Sequence, residues 1–278
     1  MTMAEEQGAL LGLQGIAIPQ ACATAKDLKP LVESMLQQGL DLLSSMPSEA
    51  SPQTEQGARG PQWRSKGSKR FAHSAAAVEL FEARVAKADR QETWAARRSV
   101  HNEAAAAGTA SWEEWLWCFK ESHAEAEKDF TPSIVSTRSS QQWDCSGIEV
   151  ELGSDSWAEW TLRVDESVHQ LPGPLRQRVF GVLQATTALR GRRDFVVVQI
   201  AVKDDSASQH SRLVRGAYTS VERVRDLGAG RIEWTMATVS DAKGVLPAWM
   251  QRMAVPRQIA KDVDLFLAWR ARERQSPP

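Results

Sequence analysis

The chain has 278 residues, a length that suits one large domain or two small ones. It carries 34 Lys and Arg against 35 Asp and Glu, so its formal net charge of −1 gives no general electrostatic reason to bind nucleic acid. The three cysteines, Cys22, Cys118 and Cys145, form no CxxC pair, which argues against a zinc ribbon or a secreted disulfide framework. We therefore expect a cytoplasmic protein that does not bind nucleic acid.

The N-terminal part of the chain predicts one helix followed by a linker. The apolar segment 8–19 follows two glutamates, where a signal peptide would carry positive charge, and it is too short to cross a bilayer. Leucine, valine and methionine recur at helical spacing over 26–45, which predicts a helix that docks on the main body. We interpret residues 1–46 as an N-terminal helical appendage. Residues 47–70, rich in Ser, Pro, Gly, Gln and Lys, predict a flexible linker.

The centre of the chain combines predicted helices and strands. Residues 74–87 predict a helix, and a second helix over 112–128 has Ser111 at its N-cap and two glutamates in its first turn. The prolines within 171–175 would interrupt a sheet and begin a short helix through Phe180, since proline cannot donate to a ladder. Five β-branched or aromatic runs predict an antiparallel sheet, and they span 147–152, 157–164, 194–202, 212–224 and 231–239.

The last of these strands leads into an apolar helix. Ile232, Trp234 and Met236 share one face of the strand, because side chains alternate with a period of two. A proline that suits a first helical turn then opens a stripe of apolar residues at spacings of three and four, which predicts a helix over 247–272. A strand followed by a long closing helix suggests a ligand cavity with a lid.

Two C-terminal segments are specific enough to carry a family resemblance. They are Trp234-Thr-Met-Ala-Thr-Val-Ser-Asp-Ala-Lys-Gly-Val-Leu-Pro-Ala-Trp-Met-Gln-Arg-Met-Ala-Val-Pro and Ile259-Ala-Lys-Asp-Val-Asp-Leu-Phe-Leu-Ala-Trp269. Together with upstream landmarks such as Trp63-Arg-Ser-Lys-Gly and His169-Gln-Leu-Pro-Gly-Pro, they resemble a fungal START-like family of unassigned function. The resemblance covers roughly residues 60 to 272.

The resemblance implies an α+β helix-grip fold. In this fold a curved antiparallel sheet wraps around a long C-terminal helix and encloses a cavity for lipids or other hydrophobic molecules. The ligand-binding domain would then span 71–272. The resemblance supplies no proven reaction.

The elements that the resemblance places around the cavity give a set of candidate ligand-binding residues. Most of the 11 tryptophans are expected to be ordinary core residues, because aromatic side chains dominate cores. Ligand pockets nevertheless prefer aromatic and apolar linings. The predicted lining consists of Trp160, Val198, Trp234, Met236, Trp249, Met253, Ile259, Val263 and Phe266.

Motifs for catalysis or cofactor binding are absent from the sequence. There is no glycine-rich phosphate loop, no Gly-x-Ser-x-Gly elbow and no cysteine nucleophile in a recognisable setting, so we predict no cofactor. In an enzyme, His169, Arg163 and Asp241 would be the groups to polarise a substrate, although a loop hydrogen bond and a helix cap are the commoner roles of His169 and Asp241. His123 and Glu127 have metal-ligand spacing but no third ligand, so we favour a structural tether and predict no metal.

Two functions remain open at this point. The leading hypothesis is the binding, and by extension the transfer, of a lipid, sterol or other hydrophobic small molecule, which needs no catalytic group. The alternative is a cavity enzyme of the cyclase or isomerase type that acts on a hydrophobic secondary metabolite. A third hypothesis, that the protein is a protein-interaction scaffold, is supported only by the N-terminal helix and the linker. The expected partner is a hydrophobic small molecule or lipid, together with transient contact with a membrane.

Overall fold

The computed structural model of the protein contains a single large sheet. It describes residues 10–47, 60–87, 90–171, 173, 175–203, 213–243 and 248–275, and within 248–253 the backbone alone. The strands of the sheet are β1 (Trp63–Lys69), β2 (Val78–Ala86), β3 (Gln91–Asn102), β4 (Ile134–Trp143), β5 (Val150–Leu152), β6 (Asp155–His169), β7 (Arg178–Leu189), β8 (Asp194–Ala201), β9 (Val214–Arg215), β10 (Ala217–Asp226) and β11 (Arg231–Asp241).

The order of the strands places the last strand of the chain near the middle of the sheet. The path runs β1-β2-β3-β11-β10-β8-β7-β6-β4, while β5 pairs with β6 and β9 pairs with β7. All pairings along this path are antiparallel, and the short β7–β9 pairing is parallel. Because β11 leads directly into the C-terminal helix, that helix begins next to the central strands. The predicted antiparallel sheet with a long C-terminal helix is confirmed.

In the described part of the chain, four α-helices and one π-helical segment cover the sheet. They are α1 (Ala25–Ser44), α2 (Trp112–Leu116), the π-helical segment Trp117–Glu121, α3 (His123–Phe130) and α4 (Ala248–Glu273). The helix predicted over 112–128 is thus divided into three pieces. Its predicted N-cap is present, since the Ser111 side chain accepts from the Glu114 backbone N–H and the Glu114 carboxylate accepts from the Ser111 N–H. The helix α4 runs continuously through Pro256.

The C-terminal end of α4 is fixed to α2 by ion pairs. Arg270 Nη2 lies 3.0 Å from Glu114 Oε1, and Arg274 contacts both oxygens of the same carboxylate. The Glu114 side chain is 12% exposed, so these contacts are partly shielded from solvent.

The two faces of the sheet support separate cores. On β8, Val196 and Val198 pack in the cluster that contains α1, whereas Phe195 and Val197 pack in the cluster that contains α2, α3 and α4. We refer to these sides as the α1 face and the α4 face. The α1 face is tightly packed, because a Cβ added at Gly39 would lie 3.3 Å from Val198 Cγ2. The predicted docking of the N-terminal helix on the main body is therefore observed.

The prediction of a helix over 74–87 is wrong, since the structure has strand β2 there. Val78 and Leu80 point to the α4 face, while Phe81 and Ala83 belong to the core on the α1 face. A strand that is buried on both faces loses the simple alternation of apolar and polar residues. Its apolar residues then fall at spacings that resemble those of a helix.

Two further segments differ from their predictions. The short helix expected through Phe180 is absent, because β7 begins at Arg178 and pairs with β6 and β8 on either side. The C-terminal part of the predicted linker 47–70 forms strand β1, which pairs with β2. Residues 48–59 of that linker lie outside the described residues. The division of the chain at this linker stays a prediction.

Candidate functional site

A buried ion pair lies on the α4 face near the middle of the sheet. Arg97 Nη2 donates to Glu222 Oε1 at 3.0 Å, and the two side chains are 1% and 8% exposed. Trp234 Nε1 donates to the same oxygen at 3.2 Å, and the guanidinium carbon of Arg97 lies 3.5 Å from the centroid of the Trp234 ring. Both charged residues are in register with Met236 of β11, one from each neighbouring strand. The ion pair therefore bridges two strands across a third.

A row of polar side chains continues from this pair towards β6. Ser220 Oγ donates to Gln199 Oε1 at 2.8 Å, and the Gln199 amide lies 2.9 Å from the Gln184 amide. The Gln184 amide in turn lies 3.0 Å from Arg163 Nη2. Arg163 Nε donates to Asp165 Oδ2 at 2.7 Å. The α4 face is thus polar over four neighbouring strands, which is unusual for the inner face of a sheet.

Three further polar side chains on this side of the sheet are partly buried. Tyr218, Glu127 and Asp262 come from β10, α3 and α4, and each keeps accessible surface, with the Glu127 side chain 36% exposed. Desolvation by burial is nevertheless the largest cause of the shifted pKa of all three groups. Partly buried polar groups of this kind are typical of the lining of a ligand space. Such a space would lie between the sheet, α3 and α4.

The charges around the space act on one another. Burial raises the pKa of Asp262 to about 7, with Arg97 acting against this shift and Glu127 adding to it. Burial also raises the pKa of Glu127, and His123 opposes that shift. Burial raises the pKa of Tyr218 well above its ordinary value, and three carboxylates, of which Glu127 is the strongest, add to it.

Most of the predicted apolar lining lies on the α4 face. Trp234 and Phe266 are fully buried, with ring centroids 5.8 Å apart, in an aromatic cluster at one end of the face. Val263 is fully buried in the same cluster, and Ile259 is 4% exposed. Met236 is half-buried, so among these five residues it has the most surface left to contact a ligand.

Two of the predicted lining residues lie elsewhere. Trp160 and Val198 both belong to the core on the α1 face. The alternation of β6 shifts at a bulge between Ala158 and Thr161, where Glu159 has a positive φ of 55°. Trp160 borders an open surface depression of about 760 Å³ instead of the interior space. Trp249 and Met253 lie outside the side chains that the structure describes.

The three candidate catalytic residues do not form one constellation. Arg163 and His169 lie on the same face of β6, but six residues of strand separate them by about 20 Å. His169 Nε2 lies 2.9 Å from Ser167 Oγ, and burial lowers the pKa of His169 to about 4, so its ring is neutral at physiological pH. Asp241 Oδ1 accepts from the Lys243 backbone N–H at 2.8 Å in the turn after β11. The role expected for Asp241 is a helix cap, and this contact lies in the turn before α4, so the helix cap stays a prediction.

Sequence analysis missed the polar groups that face the interior. Arg97, Glu222 and Tyr218 were not singled out, and Asp262 appeared only as a member of the second C-terminal segment. One usable signal is the position of Glu222 within a strand whose neighbouring residues are buried. A charged residue that faces solvent would be expected where the neighbours on the same face of the strand are also exposed. No group of three His, Cys, Asp or Glu side chains in the described part of the chain could hold a metal ion.

Comparisons with known proteins agree with this architecture. Human STARD10 superimposes with a TM-score of 0.57 at 14% identity, covering 96% of this chain and 85% of the other. Human StAR-related lipid transfer protein 5 superimposes with a TM-score of 0.54 at 12% identity, covering 91% of this chain and 98% of the other. At such identities the similarity shows the fold, which is the predicted START-type helix-grip fold.

Sequence comparison identifies the family. No curated protein matches the chain. No helix in the described ranges is long and apolar enough to cross a membrane. The family described as protein of unknown function (DUF3074) matches residues 94–270, which is more than half of the chain and includes the interior polar groups, α3 and most of α4. The chain therefore belongs to the DUF3074 family and has a START-type helix-grip fold.

Proposed function

We propose that the protein binds a lipid or another hydrophobic small molecule in the interior space between the α4 face and the helices α3 and α4, and that it transfers this molecule between membranes. The observation that carries the proposal is that Tyr218, Glu127 and Asp262 are surrounded by protein yet keep accessible surface. The similarity in fold to a human protein named as a lipid transfer protein supports the same function.

The physical basis of binding would be the burial of apolar ligand surface. Such burial contributes roughly 25 cal/mol per Å² before the cost of ordering the ligand and the chain. The wall of the space is polar over β10, β8, β7 and β6, and a purely apolar ligand would offer no polar contact to these groups. The proposed ligand is therefore an amphiphile with one polar end.

Native mass spectrometry of the purified protein tests the proposal directly. A bound species that is released on denaturation and identified as an amphiphile is the expected result. Liposomes with a fluorescent lipid in donor vesicles then test transfer to acceptor vesicles. An empty protein that also fails to extract any lipid would contradict the proposal.

A variant that fills the interior space provides a sharper test. Met236→Trp adds an indole next to the Arg97–Glu222 pair and should abolish binding while the protein stays folded. Val100→Trp, at a strand position that is 39% exposed, is a matched control and should leave binding unchanged. Equal loss of binding in both variants would point to general damage instead of a filled space.

A cavity enzyme of the cyclase or isomerase type is the second candidate. The observation in its favour is that Asp262 has a pKa of about 7 and faces the same space as the Tyr218 hydroxyl, so proton transfer to a bound molecule is chemically feasible. Release of a bound molecule in altered form, with loss of this conversion in Asp262→Asn, would favour the enzyme. Release of an unaltered molecule from both proteins would favour simple binding.

A further inference from the structure

Exposed cations are concentrated at one edge of the sheet, although the chain as a whole has a formal net charge of −1. Strand β1 forms this edge, and its exposed residues include Arg64, Lys66 and Lys69 but no acid. Arg70 follows directly and is also exposed. The edge therefore carries a local excess of positive charge that the net charge of the chain conceals.

The register of β1 directs these cations to the side of the sheet that α4 covers. Trp63 of β1 is paired with Ala83 of β2, and both residues pack in the core on the α1 face. The neighbouring pair, Arg64 with Glu82, therefore points to the α4 face. Lys66 lies on the same side, because its Nζ atom is 4.0 Å from Glu82 Oε2.

Strand β2 and helix α4 add cations to the same surface. On β2, Arg84 is exposed and shares the face of Glu82. Helix α4 packs against β2 and β3, and its exposed residues Arg257 and Lys261 are four apart, so they lie one turn apart on its outer side. A surface opening of about 180 Å³ joins the two elements, since Glu82 and Pro256 both line it.

We call this surface the basic face. A second contact besides the opening holds its β1 and α4 parts together, because the backbone N–H of His73, shortly after β1, donates to Asp264 Oδ1 of α4 at 2.7 Å. The basic face consists of Arg64, Lys66, Lys69, Arg70, Arg84, Arg257 and Lys261.

Most cations of the basic face have no partner. Apart from Lys66, none of them makes an ion pair or a side-chain hydrogen bond with the residues that the structure describes. The neighbouring acids already have partners, and the positive charge therefore remains available to an outside partner. The pairs are Glu82 with Lys66 at 4.0 Å, Glu92 with Arg90 at 3.3 Å, Asp241 with Lys243 at 3.1 Å and Asp262 with the Gln258 amide at 3.0 Å.

The edge position of β1 explains only part of this pattern. Charged side chains, lysine above all, keep an edge strand from pairing with another chain. Such protection needs cations on β1 alone, whereas Arg84 lies on the second strand, and Arg257 and Lys261 lie on a helix. What the cations of the three elements share is the surface that contains the opening beside Pro256.

We propose that the basic face docks the protein on membranes that contain anionic phospholipids, with the opening beside Pro256 turned towards the headgroups. The proposal rests on the proposed function, because transfer requires the protein to meet a membrane, and it specifies the surface that does so. The phosphate and carboxylate groups of anionic headgroups complement the unpaired guanidinium and ammonium groups. A lipid would then pass between bilayer and protein beside the first turns of α4.

Co-sedimentation with liposomes tests the charge preference. The full-length protein is mixed with vesicles of phosphatidylcholine alone, or of phosphatidylcholine with phosphatidylserine. The protein should bind the anionic vesicles at least about tenfold more tightly. This preference should disappear at about 1 M salt, where the screening length falls to about 3 Å. Equal binding to both kinds of vesicle at low salt would overturn the proposal.

Two double variants connect vesicle binding to the basic face. The first, Arg64→Gln with Lys66→Gln, removes two cations from β1. The second, Arg257→Gln with Lys261→Gln, removes two cations from α4. Each should weaken binding to anionic vesicles about 25-fold, since each Lys or Arg near a membrane surface contributes about fivefold. Unchanged binding in both variants would overturn the proposal.

A matched control removes the same charge elsewhere. Lys26 and Lys29 are exposed on α1, which covers the other face of the sheet. Lys26→Gln with Lys29→Gln should retain the wild-type affinity for anionic vesicles. An equal loss in this control and in the basic-face variants would show a general effect of charge and would also overturn the proposal. Circular dichroism and thermal unfolding show whether each variant is folded.

The outcomes separate the docking surface from the proposed function. Native mass spectrometry of the basic-face variants should show the same bound lipid as in the wild type, while liposome transfer slows. A protein that binds anionic vesicles through the basic face but never retains a lipid would contradict the binding function and leave the docking surface standing. Tighter binding to a nucleic acid duplex than to anionic vesicles at the same salt would identify another partner and overturn the docking surface.

Discussion

The α1 face and the α4 face of one sheet have opposite chemistry. The core on the α1 face packs α1 against aliphatic and aromatic side chains of the strands, and its buried Glu92 and Thr219 are hydrogen-bonded to the backbone of Leu13 and Gly12. The α4 face combines an aromatic cluster around Trp234 with the buried Arg97–Glu222 pair and the polar row on β10, β8, β7 and β6. Because the same strands supply both faces, the difference arises from the alternating side chains of each strand.

The comparison indicates that the two faces have different roles. A dry and tightly packed face stabilises the fold, whereas buried charges oppose folding unless partners compensate for their desolvation. The protein nevertheless keeps charges on the α4 face, beside the proposed ligand space. Their placement fits a role in recognising a ligand. The variants below are expected to separate the two roles.

The largest effect should come from breaking the ion pair on the α4 face. Glu222→Ala leaves the Arg97 guanidinium buried without a charged partner and should lower the free energy of unfolding by about 3–5 kcal/mol. Urea denaturation measures this loss. The double variant Arg97→Met with Glu222→Leu removes both charges. Most of the free energy of unfolding lost in Glu222→Ala should then be regained. A double variant as unstable as Glu222→Ala would show that the loss arises from packing and not from the unpaired charge.

A cavity on the α1 face should lower stability without changing the ligand site. Leu36 of α1 is fully buried, and Leu36→Ala should reduce the free energy of unfolding by about 2–4 kcal/mol. Gln37→Ala, at the exposed neighbouring position, is the control and should have little effect. Titration of the folded variant with a fluorescent lipid that the wild type binds should give the wild-type affinity. A changed affinity would mean that the two faces are energetically coupled.

A smaller effect, with a defined pH dependence, is expected for Asp262→Asn. The folded-state pKa of about 7 lies above the unfolded value of about 3.9, so the acid contributes most to stability below about pH 4 and loses this contribution as the pH rises through about 7. The variant should therefore be more stable than the wild type above about pH 7, and the difference should vanish near pH 4. Thermal unfolding across this range measures the difference. A difference in stability that does not change with pH would indicate that Asp262 is in contact with solvent in the folded protein.

Buried strands explain why sequence reasoning recovered only part of the fold. Apolar runs with turn residues between them identified β8, β10 and β11, and helical spacing identified α1 and α4. β2 was taken for a helix and β7 was missed, because both strands are buried on their two faces and show no alternation of apolar and polar residues. A single sequence shows which residues are apolar. It does not show from how many sides they are covered.

The interior polar groups were harder to predict than the fold. Arg97 and Glu222 are separated by 125 residues, so only the strand order β3-β11-β10 brings them together. Glu127 and Asp262 lie on helices, where a charged residue has the same sequence neighbours whether it faces solvent or an internal space. The predicted lining was chosen for its apolar character, which also marks the ordinary core. Trp234 and Phe266 indeed belong to that core.

The smallest expected effect is kinetic and concerns the entrance to the interior space. Pro256 interrupts the hydrogen bonding of α4 at the carbonyl of Arg252, while Arg270 and Glu114 fix the other end of the helix. A small surface opening of about 180 Å³, lined also by Leu13 and Glu92, borders Pro256, Val255 and the end of β11. Because the helix is weakest beside this opening, we expect its first turns to move when a ligand enters. Pro256→Ala restores the hydrogen bond and should slow exchange of a fluorescent lipid several-fold, with an unchanged fold and equilibrium affinity. Stopped-flow transfer from liposomes measures the rate, and a wild-type rate in the variant would exclude a hinge at Pro256.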